Sequence, residues 1–317
     1  MRGAVVTLFG GSGFIGRHVV KRLAARGAVV RVPTRRPDHA LHLKPLGDVG
    51  QIVLQEYSGE VSEQALAPLF EGTQLLVNLV GILFERRPGD FQRIHAELPR
   101  LLGVLARARG VERVVHVSAL GADPASPALY ARTKAEGEAR LRELVPQAVV
   151  LRPSVVFGPE DQFFNRFAFM SQLAPVLPIV GGKTRFQPVY VGDVADAVAA
   201  ALSQEEAQGR LFELGGPRIY TFEQLLRYML EVLGRRRLVV ELPEGLARFM
   251  ARFFEWLPNP PLTRDQIALL KRDNVVSGDH PGLAELGIAP TPLETVVPTY
   301  LVPYARQRGR PRTVDGA

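Results

Sequence analysis

The sequence predicts an α/β protein, a doubly wound parallel sheet carrying a smaller, mainly helical C-terminal lobe. Three observations lead there. Short β-rich runs alternate with helix-period stretches from the N-terminus to Arg152. A glycine loop, Gly10-Gly11-Ser12-Gly13-Phe14-Ile15-Gly16, joins the first strand to the first helix. Beyond Gly158-Pro159 the alternation gives way to proline-broken, mostly helical sequence. Such alternation is the signature of strands linked by crossover helices.

Element by element, Ala4 to Phe9 is an apolar strand and Phe14 to Arg26 a helix stopped by Gly27. Val29 to Pro33 and Gln51 to Tyr57 are the second and third strands, the latter followed by a helix ending near Phe70. Leu75 to Val80 is the fourth strand, Phe91 to Arg109 a long helix and Val114 to Ser118 the fifth strand. Leu129 to Val145 is the next helix and Ala148 to Arg152 the sixth strand. Gln187 to Val191 is strand-like and leads into a helix from Val194 to Leu202. The expected organisation is a domain over 1–158, with 187–214 returning to it, and a substrate or docking lobe over 159–317. The tail, 306–317, is too polar and glycine-rich to pack.

Composition narrows the function classes. Apolar residues make up 46% and charged residues 22%, which suits a globular chain with a large core. No apolar run approaches the length that spans a bilayer, and the chain enters its first strand after three residues without a leader. A cytoplasmic protein is therefore expected. Zero cysteines exclude disulfides, cysteine nucleophiles and thiolate metal sites, and no metal site is expected. The net charge of +7 is spread over short clusters such as Arg35-Arg36, Arg86-Arg87 and Arg235-Arg236-Arg237. No helix carries a basic stripe interleaved with aromatics, so nucleic acid is not an expected partner.

The glycine loop is informative because it follows an apolar strand and opens a helix. Gly10 permits a tight turn, Gly13 lets backbone approach a pyrophosphate, and Gly16 lets helix and strand touch. The free amides at the start of the helix would then face phosphate at the positive end of its dipole, which makes Gly10, Ser12, Gly13, Phe14, Ile15 and Gly16 the expected cofactor-binding residues. This makes the fold Rossmann-type and the ligand a dinucleotide. At the end of the second strand, where an acidic residue would hold an adenosine ribose, stands Thr34-Arg35-Arg36, with no carboxylate before Asp38. A guanidinium there pairs with a 2′-phosphate, so Arg35, with Arg36 beside it, argues for NADP(H) over NAD(H).

Tyr130-Ala131-Arg132-Thr133-Lys134 sets a phenol and an ammonium four residues apart on one helix face. A neighbouring cation stabilises phenolate, so Lys134 is expected to lower the Tyr130 pKa and make it a usable acid or base. Ser118, ending the fifth strand, would polarise a substrate carbonyl or hydroxyl.

Together these parts resemble the short-chain dehydrogenase/reductase superfamily in its extended or atypical branch. Asn78-Leu79-Val80-Gly81 and Leu151-Arg152-Pro153-Ser154-Val155-Val156-Phe157-Gly158-Pro159 belong to the resemblance, which implies that Asn78, Val80, Gly81, Pro153 and Val155 line the cofactor. Ser58 stands where many members place an aspartate near the adenine. Ser118 is followed by Ala119-Leu120-Gly121 rather than lying in a serine-rich strand end. A narrower similarity lies in Phe157 to Asn165, Lys183 to Val191 and Leu262-Thr263-Arg264-Asp265-Gln266. These segments are similar to the NADPH-binding accessory subunits of respiratory complex I and their bacterial relatives.

Two functions follow. In the first, an enzyme, Tyr130 moves the proton as hydride passes between nicotinamide and substrate, Lys134 holds the ribose and Ser118 orients the substrate. Phe163, Phe164, Phe167, Phe169 and Trp256 suggest a bulky, quinone- or lipid-like hydrophobic molecule. In the second, NADP(H) stabilises a non-catalytic assembly protein docked on complex I, peripheral to the inner face of the respiratory membrane. The apolar segment Leu246 to Leu257 suits such a site beside acidic headgroups, although burial in the core is the stronger expectation for it.

Overall fold

A computed structural model describes residues 1–257 and 260–305; the tail 306–317 lies outside the described residues. In chain order the first strands and helices are β1 (Val5–Phe9), α1 (Phe14–Ala25), β2 (Val29–Thr34), β3 (Ile52–Glu56), α2 (Glu63–Leu66) and β4 (Leu75–Asn78). Then come α3 (Leu98–Ala108), β5 (Arg113–Val117), α4 (Leu129–Leu144), β6 (Val149–Pro153), β7 (Val156–Phe157) and α5 (Phe164–Leu173). The remainder comprises β8 (Val176–Ile179), β9 (Arg185–Phe186), β10 (Val189–Tyr190), α6 (Val191–Ala201), β11 (Leu211–Leu214) and β12 (Tyr220–Thr221). It closes with α7 (Phe222–Val232), β13 (Leu238–Glu241), α8 (Glu244–Phe254), α9 (Arg264–Leu269) and α10 (Leu293–Tyr300).

Seven parallel strands form the main sheet in the order β11-β6-β5-β4-β1-β2-β3. The order reverses at β1 and β4, so the ends of these two strands diverge into a crevice, where α/β sheets place their ligands. Strand period two decides the packing. Val6 and Leu8 of β1 point into one core with Val19, Val20 and Leu23 of α1 and Val194 and Val198 of α6. Phe9 points the other way, with Leu76, Leu101, Leu105 and Leu141, into the core under α3 and α4.

The expected doubly wound parallel sheet is therefore present, and it has one strand more than the six read from the sequence. The added strand, β11, is four residues long and holds the buried Glu213, whose carboxylate accepts from the Ser277 amide at 2.6 Å. Two other elements differ. The long helix expected from Phe91 begins as a π-helical turn, Gln92–Glu97, before α3. The strand-like Gln187 to Val191 keeps only β10, because Val191 already starts α6.

The C-terminal lobe packs α5, α7 and α10 around Phe157, Phe164, Phe186, Phe222 and Leu226. Phe163 and Phe167 pack against this cluster, whereas Phe169 is exposed. The expected burial of Leu246 to Leu257 is not found. Helix α8 buries only Ala247 and Ala251, against Ile267 of α9, and turns Leu246, Phe249 and Phe253 outward. Trp256, just beyond it, is 89% exposed. Its alanines form the contact stripe, so the larger apolar groups lie on the opposite face. No described helix is long and apolar enough to cross a membrane.

Candidate functional site

The glycine loop is shaped by backbone contacts that leave no room for side chains. Gly10 takes φ +81°, and a Cβ there would sit 3.1 Å from the Leu79 carbonyl carbon, against the turn after β4. At Gly16 a Cβ would lie 2.2 Å from the Gly10 oxygen, so the first turn of α1 rests directly on the loop. Gly13 differs: a Cβ there would meet only the Gly10 oxygen, at 3.3 Å, and the residue is exposed. As N-cap of α1, Gly13 offers no side chain, and no acidic residue occupies the first turn. A helix begins with unsatisfied N–H groups and a positive dipole end. Here both are left to solvent beside the crevice, a cradle that fits a pyrophosphate.

Arg35 and Arg36, at the end of β2, are exposed. The nearest carboxylate in sequence, Asp38, pairs with His39 at 3.6 Å. Arg35 runs its stem over Gly59, where φ is +80° and a Cβ would be 2.4 Å from the Arg35 Cδ. Gly59 thus makes the bed for this guanidinium, a role that the sequence does not announce. Ser58 is exposed and its Oγ accepts from the Glu60 amide at 3.2 Å. Asn78 is buried with both ends of its amide engaged. Its Oδ1 accepts from the Val80 amide at 3.1 Å, and its Nδ2 meets His116 Nδ1 at 3.1 Å. It shapes the turn after β4 from within the protein.

On the other wall, Lys134 of α4 approaches both Gly81 and Val117, the residue before Ser118. Lys134 is buried, and its Nζ reaches the Val117 oxygen at 3.5 Å. A Cβ on Gly81 would fall 3.2 Å from that Nζ, so the glycine keeps the ammonium approachable. Burial lowers the Lys134 pKa to about 8, with Glu138 acting against the shift. Ser118 is buried and its Oγ has no partner within the described protein. A buried hydroxyl left unpaired costs free energy unless a ligand completes it. Pro153 is buried at the end of β6, and the Val155 amide is taken by Asn274 Oδ1 at 3.1 Å.

Tyr130 is half-buried, its ring edge-on to His95 (centroids 5.1 Å apart) and to Phe91 (5.8 Å). Its expected activation is corrected here. Burial first, and Asp265 second, raise the phenol pKa to about 12. Both causes disfavour the charged phenolate, and so the shift runs opposite to the expected one.

Two residues given no site role in the sequence hold this arrangement, His95 and Asp265, the latter quoted there only as part of a resembling segment. His95, in the π-helical turn, accepts from the Ile82 amide through Nε2 at 3.0 Å and meets Thr133 Oγ1 through Nδ1 at 3.2 Å. Since the Thr133 hydroxyl donates to the Leu129 oxygen at 2.9 Å, the imidazole is neutral and carries its proton on Nδ1. Burial, then Lys134 and His116, push its pKa down to about 2. Asp265 of α9 accepts from the Leu129 and Tyr130 amides at 2.6 and 3.1 Å, capping α4 from the C-terminal lobe.

The segments of narrower resemblance are structural ties. Asp161 caps α5 through the Phe164 amide at 2.7 Å, and Arg185 pairs with Asp273 at 2.7 Å. The Gln187 amide group donates to the Gly216 oxygen at 2.8 Å. Among the described residues there is no cluster of side chains that could hold a metal ion.

The NAD dependent epimerase/dehydratase family matches residues 6–215, and the chain belongs to it. Over 295 residues it is 36% identical to the mitochondrial NADH dehydrogenase [ubiquinone] 1 alpha subcomplex subunit 9 of Rattus norvegicus, covering 92% of this chain and 78% of the relative. It is 30% identical to the ceramide reductase of Caulobacter vibrioides over 76% of this chain and 74% of that protein. Among solved structures, a UDP-glucose 4-epimerase of Thermotoga maritima superimposes with a TM-score of 0.70 at 20% identity, covering 95% of this chain and 98% of that one. The last likeness is one of fold.

Proposed function

We propose that the chain is an NADP(H)-binding protein that works docked on respiratory complex I. The observation that carries the nucleotide reading is the uncapped start of α1 beside an exposed Arg35 with no acidic residue at the end of β2. That arrangement suits a pyrophosphate on the amides and a 2′-phosphate on the guanidinium. The docking reading rests on the relatives named as subunits of NADH dehydrogenase in animals and plants. The outward apolar face of α8 and the net charge of +7 supply a surface for it beside the respiratory membrane.

Arg35→Ala is expected to raise the Kd for NADPH at least about tenfold while leaving NADH nearly unchanged, as the loss of a charge-assisted bond requires. Equal weakening of both, measured by titration calorimetry, overturns the assignment. Co-purification with complex I from the host membrane tests the docking, and its absence removes that part of the reading.

A second reading, turnover of a hydrophobic carbonyl compound or quinone, is favoured by the buried, unpartnered Ser118 hydroxyl at the end of β5, next in sequence to Val117, whose oxygen Lys134 reaches. The nicotinamide, when bound, supplies or accepts hydride. Lys134, with donors to spare, would hold the ribose, and Ser118 would donate to the substrate oxygen. Tyr130 would give its phenolic proton to the carbonyl oxygen as hydride arrives, a step for which a phenol raised to about 12 is a weak acid. Tyr130→Phe should abolish NADPH oxidation by a quinone and carbonyl panel; a wild type inert on that panel counts against turnover.

A further inference from the structure

Helix α4 carries the two central side chains of the site, yet its own sequence supplies no cap. Ala128, at the N-cap, has no side-chain acceptor, and the first turn lacks an acidic residue. The cap comes from 135 residues away: both oxygens of Asp265 are used, one on the Leu129 amide at 2.6 Å and the other on the Tyr130 amide at 3.1 Å. Asp265 also lies in the first turn of α9, whose start is locked by a reciprocal capping box between Thr263 and Gln266. One carboxylate therefore faces the positive ends of two helices.

Helix α9 also reaches the loop after β4. Gln266 donates to the Leu83 oxygen at 3.4 Å, in the loop that begins at Gly81. On its far side α9 packs Ile267 against Ala247 and Ala251 of α8 and is tied by Arg264 to Glu255 at 2.9 Å. A continuous set of contacts thus runs from the outward-facing α8 through α9 to Tyr130.

We propose that Asp265 is a positioning residue for Tyr130, through which the seating of the α8–α9 pair on the protein sets the start of α4 and the state of the phenol. The proposal rests on Tyr130 and Lys134 as the working centre, but its test reads the phenol and the amides directly and does not depend on turnover. Charged or titratable groups facing the Tyr130 ring and backbone are His95 from the π-helical turn and Asp265 from α9, with Lys134 on α4 itself. His95 is neutral through the working range, which leaves Asp265 as the anion of the set.

The experiment uses the full chain labelled with 13Cζ-tyrosine, with the Tyr130 signal assigned from Tyr130→Phe, and amide exchange at Leu129 and Tyr130. In Asp265→Asn, which keeps shape and removes charge, the Tyr130 signal should titrate at lower pH than in the wild type. Exchange at the two amides should quicken about fivefold, as the loss of a helix cap implies. Asp265→Glu should restore part of both. An Asn variant that folds yet leaves titration and exchange unchanged overturns the proposal. Should it fail to fold, Thr263→Ala loosens α9 without touching the carboxylate. Faster exchange at Leu129 and Tyr130 then supports the coupling, and unaltered exchange overturns it.

Discussion

Helices α1 and α4 begin on opposite walls of the same crevice, and their starts are finished in opposite ways. The start of α1 is built from glycine, presents no capping side chain and has no acid in its first turn. The start of α4 also lacks a cap of its own, but a carboxylate from the C-terminal lobe occupies it. Both ends carry the same unsatisfied amides and the same dipole. One therefore remains a place for a ligand's negative charge, while the other has been given an anion from within the protein. The contrast explains why the glycine loop and not the tyrosine helix is read as the phosphate site, although both helices start at the crevice.

Making α1 resemble α4 is the sharpest way to break this comparison. Gly13 has φ −80° and ψ −177°, a conformation open to any residue, and a Cβ there would meet only the Gly10 oxygen, at 3.3 Å, a contact that a few tenths of an ångström of movement relieves. Gly13→Asp should cap α1 and raise the stability of the nucleotide-free protein by roughly 0.5–1 kcal/mol. The same carboxylate would stand where the pyrophosphate belongs, and NADPH affinity should fall at least about 100-fold, or about 2.7 kcal/mol. Chemical denaturation and fluorescence titration measure the two halves. A variant that binds NADPH as the wild type does would show that the α1 start is not the phosphate site.

Legibility in the sequence divides along the same line. The glycine loop could be read because the positive φ at Gly10 and the backbone contact at Gly16 demand glycine, and all of its residues are consecutive. Tyr130 and Lys134 could be paired because four residues make one helical turn. Asp265 could not be placed, since its partners lie 136 and 135 residues away and only the packing of α9 on α4 brings them within 2.6 and 3.1 Å. His95 was hidden for a different reason. It sits in what reads as the start of an ordinary amphipathic helix, and only the π-helical turn directs its ring onto Tyr130. Strand β11 was missed because four residues around a glutamate carry too little alternation to signal a strand. The direction of the Tyr130 shift is not legible, because spacing reveals a neighbouring cation but neither the burial of the phenol nor the Asp265 carboxylate at the start of the helix.

The two walls also differ in what acid should do to them. Around α4 two buried histidines are held neutral: His95, pushed down to about 2, ties the Ile82 amide to Thr133, and His116, pushed down to about 3 by burial and then Lys134, bonds Asn78. The unfolded chain takes up protons at these histidines near pH 6.5, whereas the folded chain does not until the medium is far more acidic. Their contribution is thus fully present above pH 6.5 and is lost as pH falls from there towards about 3. The slope is on the order of 1.4 kcal/mol for each histidine and each pH unit. Among the described residues no buried histidine is bonded to the glycine loop; His18 of α1 is half-buried, 3.1 Å from Glu160. Denaturation midpoints at pH 6.5 and 5.5 should therefore drop in the wild type and drop less in His95→Gln. Hydrogen exchange at pH 5.5 should loosen Ile82 and Thr133 before the amides of β1. If the β1 amides open first, the histidines are not what makes the tyrosine wall sensitive to acid, and the weak point lies on the phosphate side.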